Sequence, residues 1–517
     1  MDFITSTTWI GLLVGAFFFL LLSPFLSRRD SLLINAPRLF ELSYSKARRR
    51  FLTQSEQLIK EGFEKASART ITVQAKNGFR IVTDTGVTLI LPVQYLKDVR
   101  DADHLSFTDF TEDVFHSHIR GFEAFRPNSM LHEAIHLHLN RSLGNLVRPL
   151  SETTTAKLKA VWTDNSEWHP VAVMPTIVAM FTEISSRIML GEELYKNTDW
   201  LETIEDFNLD SYNAINALRL WPKRLRPLVA NLMPSVRQVR REVRRARQII
   251  NPVVEQRRIS RDTAVARCEE PPQWTDSLGW IDEAATKTGQ AYDPGVAQLG
   301  LSLGSINTAA DMVTQLIFDL CGRDQLISDL RTEIITVLRE EGVLNKSTLY
   351  RLKLLDSVMK ESQRLKPMSS VMVTRVAQQQ VQLRDNIVIP KGGSVAISNY
   401  EMRSANSPIH ENADTFDGYR FYNLRRKTGV ETWTQFVSTG PKHLGFGFGQ
   451  YACPGRFFAA DAIKVFMCHV LLKYDFRLVG DSRPEPSTAG FSLMANTTAS
   501  IAIRRRIEET VLEDLPF

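Results

Sequence analysis

The chain has 517 residues, 43% of them apolar, and a formal net charge of +5. That is enough material for a large buried core and too small a charge excess to argue for a nucleic-acid partner, for which there are also no interleaved basic and aromatic motifs. Its four cysteines, Cys268, Cys321, Cys453 and Cys468, are widely spaced and form no C-x-x-C pair, which speaks against a zinc site or a disulfide scaffold and fits a reducing compartment.

Phe3 to Leu26 is almost uninterrupted apolar sequence, close to the roughly 20 residues that cross a bilayer as a helix. Arg28 and Arg29 follow, so the positive-inside rule places the rest of the chain on the cytoplasmic side. Asp2 at the start, the lack of a basic n-region and the lack of a small-x-small cleavage site favour an uncleaved anchor over residues 1–29 rather than a signal peptide. Arg48 to Ala66 then has apolar residues at helical spacing, and ITVQAKNGFRIVTDTGVTLILP alternates like a hairpin around the turn Asp84-Thr85-Gly86.

From Val93 onward most of the chain reads as helix, including Leu131 to Leu146 and Pro170 to Leu194, so the fold class expected is mainly α with minor β. His136 and His138 are two apart and diverge on a helix, which makes a solvated or core role the better reading than metal ligation. Arg237, Arg240, Arg241, Arg244, Arg245 and Arg247 cluster in one amphipathic stretch. Such a run is usually a solvated face, but in an anchored protein it also offers contact with anionic lipid headgroups. Ala297 to Leu320 has the composition of a buried core helix, and Arg323 to Glu341 that of a charged one.

In LLDSVMKESQRLKP, Glu361 and Arg364 stand i,i+3 on one face, an arrangement that by itself means little more than a surface ion pair. MVTRVAQQQVQLRDNIVIPKGGSVAISN reads as strands with turns near Asp385 and Gly392. Finally, His443 to Ala459 reads HLGFGFGQYACPGRFFA, where Gly445, Gly447 and Gly449 alternate with Leu444, Phe446 and Phe448 and demand a shaped loop. Pro454 suits the first turn of a helix predicted over Phe457 to Tyr474, whose positive end would face Cys453 and favour a thiolate. Without further context the cysteine would be a buried structural thiol.

The context is supplied by the run Phe446-x-x-Gly449-x-Tyr451-x-Cys453-x-Gly455, which resembles the haem-binding loop of the cytochrome P450 family. The resemblance implies a cytochrome P450 fold in one catalytic domain over residues 30–517, haem as cofactor, and Cys453 as its axial thiolate ligand. It departs at Tyr451, where the family usually has a basic residue paired with a haem propionate; a neutral phenol hydrogen bond would replace the charge-assisted one. Gly304-Ser305-Ile306-Asn307-Thr308 resembles the family's oxygen-activating helix, with Asn307 at the position of an acid. An amide positions water but delivers no proton as a carboxylic acid does, which leaves the relay to Thr308 through water.

By the same resemblance Glu361, Arg364 and Arg420 form a buried bracing network, and Arg375 pairs with a propionate. Arg141 is a further propionate candidate, although Leu137 stands where an aromatic residue usually accompanies it, and His443 is another. Met368 to Val373 and Phe491 to Thr497 correspond to pocket-lining segments and imply an apolar small-molecule substrate. No GxGxxG fingerprint for flavin or nicotinamide is present, so electrons would come from NADPH-cytochrome P450 reductase, with Lys442, Arg425, Arg426 and Lys427 as parts of a basic docking face.

ACPGRFFA and FTEISSRIMLGEELYKN resemble filamentous-fungal members related to ent-kaurene oxidase. The implied activity is a monooxygenase of secondary metabolism acting on a terpenoid or meroterpenoid, single-pass in the endoplasmic reticulum with its catalytic domain cytosolic. A haem-thiolate isomerase or dehydratase that needs no reductase, kept open by Asn307, and a membrane haem carrier or sensor are the alternatives.

Overall fold

The computed structural model describes residues 32–516 apart from 38–40, 42–43, 69–77, 428–430 and 481. The expected anchor over 1–29 and the first residues of the expected hairpin lie outside that set. The helices that build the site are α1 (Ser45–Ala68), α2 (Leu96–Asp101), α3 (Phe107–Phe115), α4 (Asn140–Val161), α5 (Val173–Leu194), α6 (Thr198–Arg219), α7 (Arg226–Leu232), α8 (Pro234–Ala266), α9 (Pro294–Leu320), α10 (Asp324–Glu341), α11 (Lys353–Leu365), α12 (Arg420–Arg425) and α13 (Arg456–Lys473). The strands are β1 (Phe79–Val82), β2 (Val87–Leu91), β3 (Leu105–Ser106), β4 (His169–Ala172), β5 (Val371–Ala377), β6 (Val381–Gln382), β7 (Val388–Ile389), β8 (Ser394–Ser398), β9 (Tyr474–Leu478), β10 (Ser487–Ala489), β11 (Ser492–Met494) and β12 (Ser500–Arg505). Mainly α with minor β is therefore what the chain forms.

Helix α9 is the axis of the core. Asp293 caps it by accepting from the Val296 N–H at 3.1 Å, and Pro294 occupies its first turn, where a missing N–H costs nothing. Its side chains are apolar nearly all round, so it can only be stable inside; it packs against α5, α8, α11 and α13. Helix α5 is, among the described residues, long and apolar enough to cross a membrane, but 67% of its most apolar window is buried in the protein, as suits a core helix lying along α9 and α4.

Two boundaries differ from expectation. The first residues of the helix predicted over Pro170 to Leu194 form strand β4, which pairs with β12 on the outside of a three-stranded sheet, order β4-β12-β9. An edge position tolerates the missing N–H of Pro170. The helix predicted over Leu131 to Leu146 is interrupted by a π turn at Ile135–Leu139, which carries His136 and His138.

The larger sheet has the order β1-β2-β8-β5-β3, with β2 and β8 parallel and the other pairs antiparallel. Its register slips between Met372 and Arg375 on β5, and Val373 there has φ of 52°. A β-branched residue in that region is strained, and a bulge of this kind re-aims the side chains beyond it.

Three of the clustered arginines of α8 are engaged with other parts of the protein, while Arg237, Arg241 and Arg244 stand exposed. Arg245 reaches Asp199 at 2.6 Å and Glu202 at 3.0 Å on α6, Arg247 reaches Asp293 at 2.6 Å, and Arg240 donates to Asn231 and to the Arg120 carbonyl. The large apolar side chains that stand exposed nearby are instead Leu220, Trp221, Leu225, Leu228 and Leu232, between the end of α6 and the end of α7.

Candidate functional site

The glycine loop leads into α13 and is closed by its own backbone. The Cys453 N–H donates to the Phe446 carbonyl at 2.8 Å, Gly447 N–H to Leu444, and Ala452 N–H to Gly449. A Cβ at Gly445 would collide with the side chain of Gln363, which is itself bonded to His443. Gly449 has φ of +72° and faces Arg100 of α2, whose Cδ lies 2.7 Å from where its Cβ would be. Asn140, at the start of α4, donates to the Pro454 carbonyl at 3.3 Å and ties α4 to the loop. Burial pushes the Cys453 thiol up; the backbone N–H groups of Gly455 and Arg456 and the Arg456 charge act in the opposite direction. These groups point positive charge at the sulfur, the environment a coordinated thiolate requires.

On α9, Gly304 stands exposed in mid-helix, and a Cβ added there would meet nothing within 4 Å. The Thr308 hydroxyl donates to the Gly304 carbonyl at 2.7 Å. Asn307 is half-buried beside it, and the Ser305 hydroxyl is buried with no partner among the described residues. One turn further on, Asp311 is 1% exposed and accepts from the Ala495 N–H at 2.6 Å; burial raises its carboxyl to about 6. Sequence reasoning passed over Asp311, although it is the first acid within the apolar run of α9. Asp311 fastens α9 to the segment Phe491 to Thr497, and that segment is hydrogen-bonded to Met368–Ser370 through Ser370 N–H to Phe491 and Leu493 N–H to Met368. The two apolar segments singled out separately are thus one surface.

Helix α11 is buried although its sequence is polar. Glu361 and Arg364 are fully buried and form two parallel bonds at 2.7 and 2.8 Å, and the Nε of Arg420 adds bonds to both carboxylate oxygens at 3.0 and 3.1 Å. The remaining arginine donors go to carbonyls of Met402, Ala413, Glu411 and Asn412. Beside this network Asp356 accepts from Arg425 at 2.6 Å and Lys464 at 2.8 Å, and from the Phe436 N–H. Arg425 is accordingly an internal partner of Asp356 rather than part of a docking face, whereas Arg426, Lys427 and Lys442 are exposed.

His443 is buried and shares a hydrogen bond with Gln363 at 2.8 Å, close to Phe421. Burial, with Lys360, His410 and Arg364 nearby, drives its pKa well below the ordinary value and keeps the ring neutral. Arg141 is exposed on the first turn of α4, next to Asn140. Arg375 is 2% exposed, and no carboxylate among the described residues forms an ion pair with it. Burial lowers its pKa to about 10. The Tyr451 ring lies 4.8 Å from the Arg375 guanidinium and 4.9 Å from the Phe107 ring.

A buried guanidinium lacking an acid, open space beside a glycine in the core helix, and an N–H-lined cysteine fit a planar, carboxylate-bearing group held by a thiolate-ligated iron. Fold and loop together are those of a haem-thiolate oxidoreductase. A family model described as Cytochrome P450 matches residues 103–502. Cytochrome P450 monooxygenase adrA of Penicillium rubens is 39% identical over 505 residues, which cover 97% of this chain and 96% of that protein. Cytochrome P450 monooxygenase esdpI of Penicillium shearii is 40% identical over 484 residues (93% and 92%), and trt6 of Aspergillus terreus 40% over 492 residues (93% and 96%). The chain belongs to the cytochrome P450 family. It is a monooxygenase, an oxidoreductase, and its cofactor is haem carried on a cysteine thiolate; the family's monooxygenases use a redox partner and a small-molecule substrate.

Proposed function

We propose that Cys453 is the axial ligand and that the enzyme inserts one oxygen atom of dioxygen into an apolar terpenoid or meroterpenoid skeleton of fungal secondary metabolism, with electrons from NADPH through a separate cytochrome P450 reductase. The observation that carries this reading is the Cys453 environment: a half-buried sulfur at the start of α13, with the N–H groups of Gly455 and Arg456 directed at it. Bound haem supplies dioxygen activation, for which thiolate ligation is the property the family is known for.

The chain's own residues do the rest. Arg375, with Arg141 at the start of α4, holds the cofactor's carboxylates; His443 is a further candidate through Nδ1, which is buried without a partner among the described residues while Gln363 takes Nε2. Thr308 Oγ passes a proton by way of water and Asn307 orients that water. Met368 to Val373 and Phe491 to Thr497 orient an apolar substrate and exclude bulk water. Glu361, Arg364 and Arg420 brace the region from which the loop springs.

Residues 1–29 anchor the protein in the endoplasmic reticulum membrane with the catalytic domain cytosolic. The exposed Leu220, Trp221, Leu225, Leu228 and Leu232, interleaved with Lys223 and Arg224, lie in the lipid interface. Incubation of microsomal protein with reductase, NADPH and candidate terpenoids under labelled dioxygen is expected to place one labelled oxygen in the product. Product formed without NADPH would instead mark an isomerase or dehydratase. In parallel, Cys453→Ser is expected to lose the red-shifted Soret band of the ferrous carbon monoxide complex; a variant that kept it would remove Cys453 from the site.

A further inference from the structure

Arg375 is held in an unusual way for a buried cation. Its only hydrogen bond seen among the described residues is from Nη1 to the Thr374 carbonyl at 2.8 Å. Otherwise it is bordered by aromatic faces: its guanidinium carbon lies 4.8 Å from the centre of the Tyr451 ring and 5.4 Å from that of Phe107. The two rings lie 4.9 Å apart and are tilted by 38°. Three distant parts of the chain meet here: β5, the first residue of α3, and the cysteine loop.

The arrangement has a physical logic. A cation removed from water without a counter-charge is costly, and the negative face of an aromatic ring offsets part of that cost while leaving the guanidinium edges free. Those edges are the fork that suits a carboxylate. A basic residue at position 451 would add a second positive charge beside Arg375, whereas a ring adds attraction and a flat wall. The slip in β5 register before Arg375, with Val373 in the left-handed region, fixes the direction from which the side chain enters.

We infer that Tyr451 and Phe107, two rings in contact with each other, form a one-sided aromatic clamp that positions Arg375, so that one arginine resting against both rings anchors a haem carboxylate at a place where the family usually adds a basic residue on the cysteine loop. It is the ring of Tyr451, not its hydroxyl, that matters. Tyr451 and Phe107 are positioning residues acting through Arg375. The inference rests on the haem assignment made above.

The test is the rate at which full-length holoprotein loses haem to excess apomyoglobin, followed in the Soret band, with the thiolate carbon monoxide spectrum recorded first for every variant. Tyr451→Phe is expected to lose haem within about twofold of the parent rate, and Tyr451→Leu and Phe107→Leu about 5–30-fold faster, the range that one to two kcal/mol of cation–π attraction corresponds to. In an Arg375→Gln background, Tyr451→Leu is expected to add little, because the cation it positions is gone. A Tyr451→Leu protein with the parent rate would overturn the clamp, as would Tyr451→Phe losing haem as fast as Tyr451→Leu, or an undiminished Tyr451→Leu effect without Arg375. Tyr451→Trp, which keeps a ring face, guards against a folding defect: it is expected to stay near the parent rate, and loss as fast as in Tyr451→Leu counts against the clamp. A parent chain that shows no thiolate haem spectrum would overturn the haem assignment itself and this inference with it.

Discussion

Thr308 bonds back to the carbonyl four residues earlier, a habit of hydroxyl side chains that loosens a helix locally and leaves the oxygen able to exchange partners. With Asn307 beside it there is no carboxylic acid at the adjoining position, so on the proposed mechanism the relay falls to the hydroxyl through water. Thr308→Ala is expected to cut product formed per NADPH consumed by about tenfold or more, within the ~10²–10⁴ that a positioned proton donor contributes, and to raise hydrogen peroxide release correspondingly. Thr308→Ser is expected to recover most of the coupling. A Thr308→Ala protein as well coupled as the parent would take Thr308 out of the mechanism. Residues of this kind were legible because they sit in short local patterns: Cys453, Thr308 and the Glu361–Arg364 spacing can each be read from a few neighbours. Asp311, Arg100 and Gln363 were not, because nothing local distinguishes a helix acid that meets Ala495, or an arginine and a glutamine that lie against loop glycines.

At the level of elements, α11 is the clearest case of tertiary context overriding composition. Its sequence is that of a surface helix, yet it is buried because every charge on its inner side finds a partner brought from elsewhere. Removing one partner leaves the others buried and uncompensated, so Glu361→Ala is expected to destabilise the fold by ~3–5 kcal/mol, seen as a lower unfolding midpoint of the haem-loaded protein in denaturant. Asp356 makes the pH dependence of this region explicit. Burial alone would raise its pKa, but Lys464 and Arg425 outweigh that and hold the carboxyl down to about 2. A depressed folded pKa contributes stability above the ordinary carboxylate value of about 4 and loses it as pH falls toward about 2. The unfolding midpoint of the parent is therefore expected to fall more steeply than that of Asp356→Asn between those two values; parallel acid limbs would show that the pair contributes nothing there. The same element explains the corrected role of Arg425, whose charge was visible in the sequence but whose partner was not.

For the whole molecule, the proposed membrane association gives the exposed apolar residues between α6 and α7 the role of orienting the domain on a bilayer. Trp221 lies within that exposed group and reports on it. In proteoliposomes containing lipids brominated in the upper acyl chain, the fluorescence attributable to Trp221, by difference from Trp221→Phe, is expected to be strongly quenched; emission indifferent to bromination would remove this surface from the membrane contact. Of the arginines of α8, to which the sequence pointed first, Arg245 and Arg247 are cross-links to α6 and to the cap of α9, which leaves Arg237, Arg241 and Arg244 on the exposed face. A run of like charges looks free in a sequence because its acidic partners lie on other elements.

The division between what the sequence by itself determined and what only the folded chain decided follows the range of the interactions. The helical class, the core helix α9 and the need for a shaped cysteine loop follow from residue periodicity and local composition, which depend on backbone geometry and neighbours alone, and the haem-thiolate family was legible as a resemblance carried by motifs a few residues long. The surroundings of Arg375 depended on the register of β5 with β8, on a bulge within it, and on where α3 and the loop come to rest. A slip of one residue in a strand turns every side chain to the opposite face, and no local pattern records whether that slip has occurred. The replacement of a basic residue by Tyr451 could be seen in the sequence, but not that the sheet brings a buried guanidinium against the ring of that phenol.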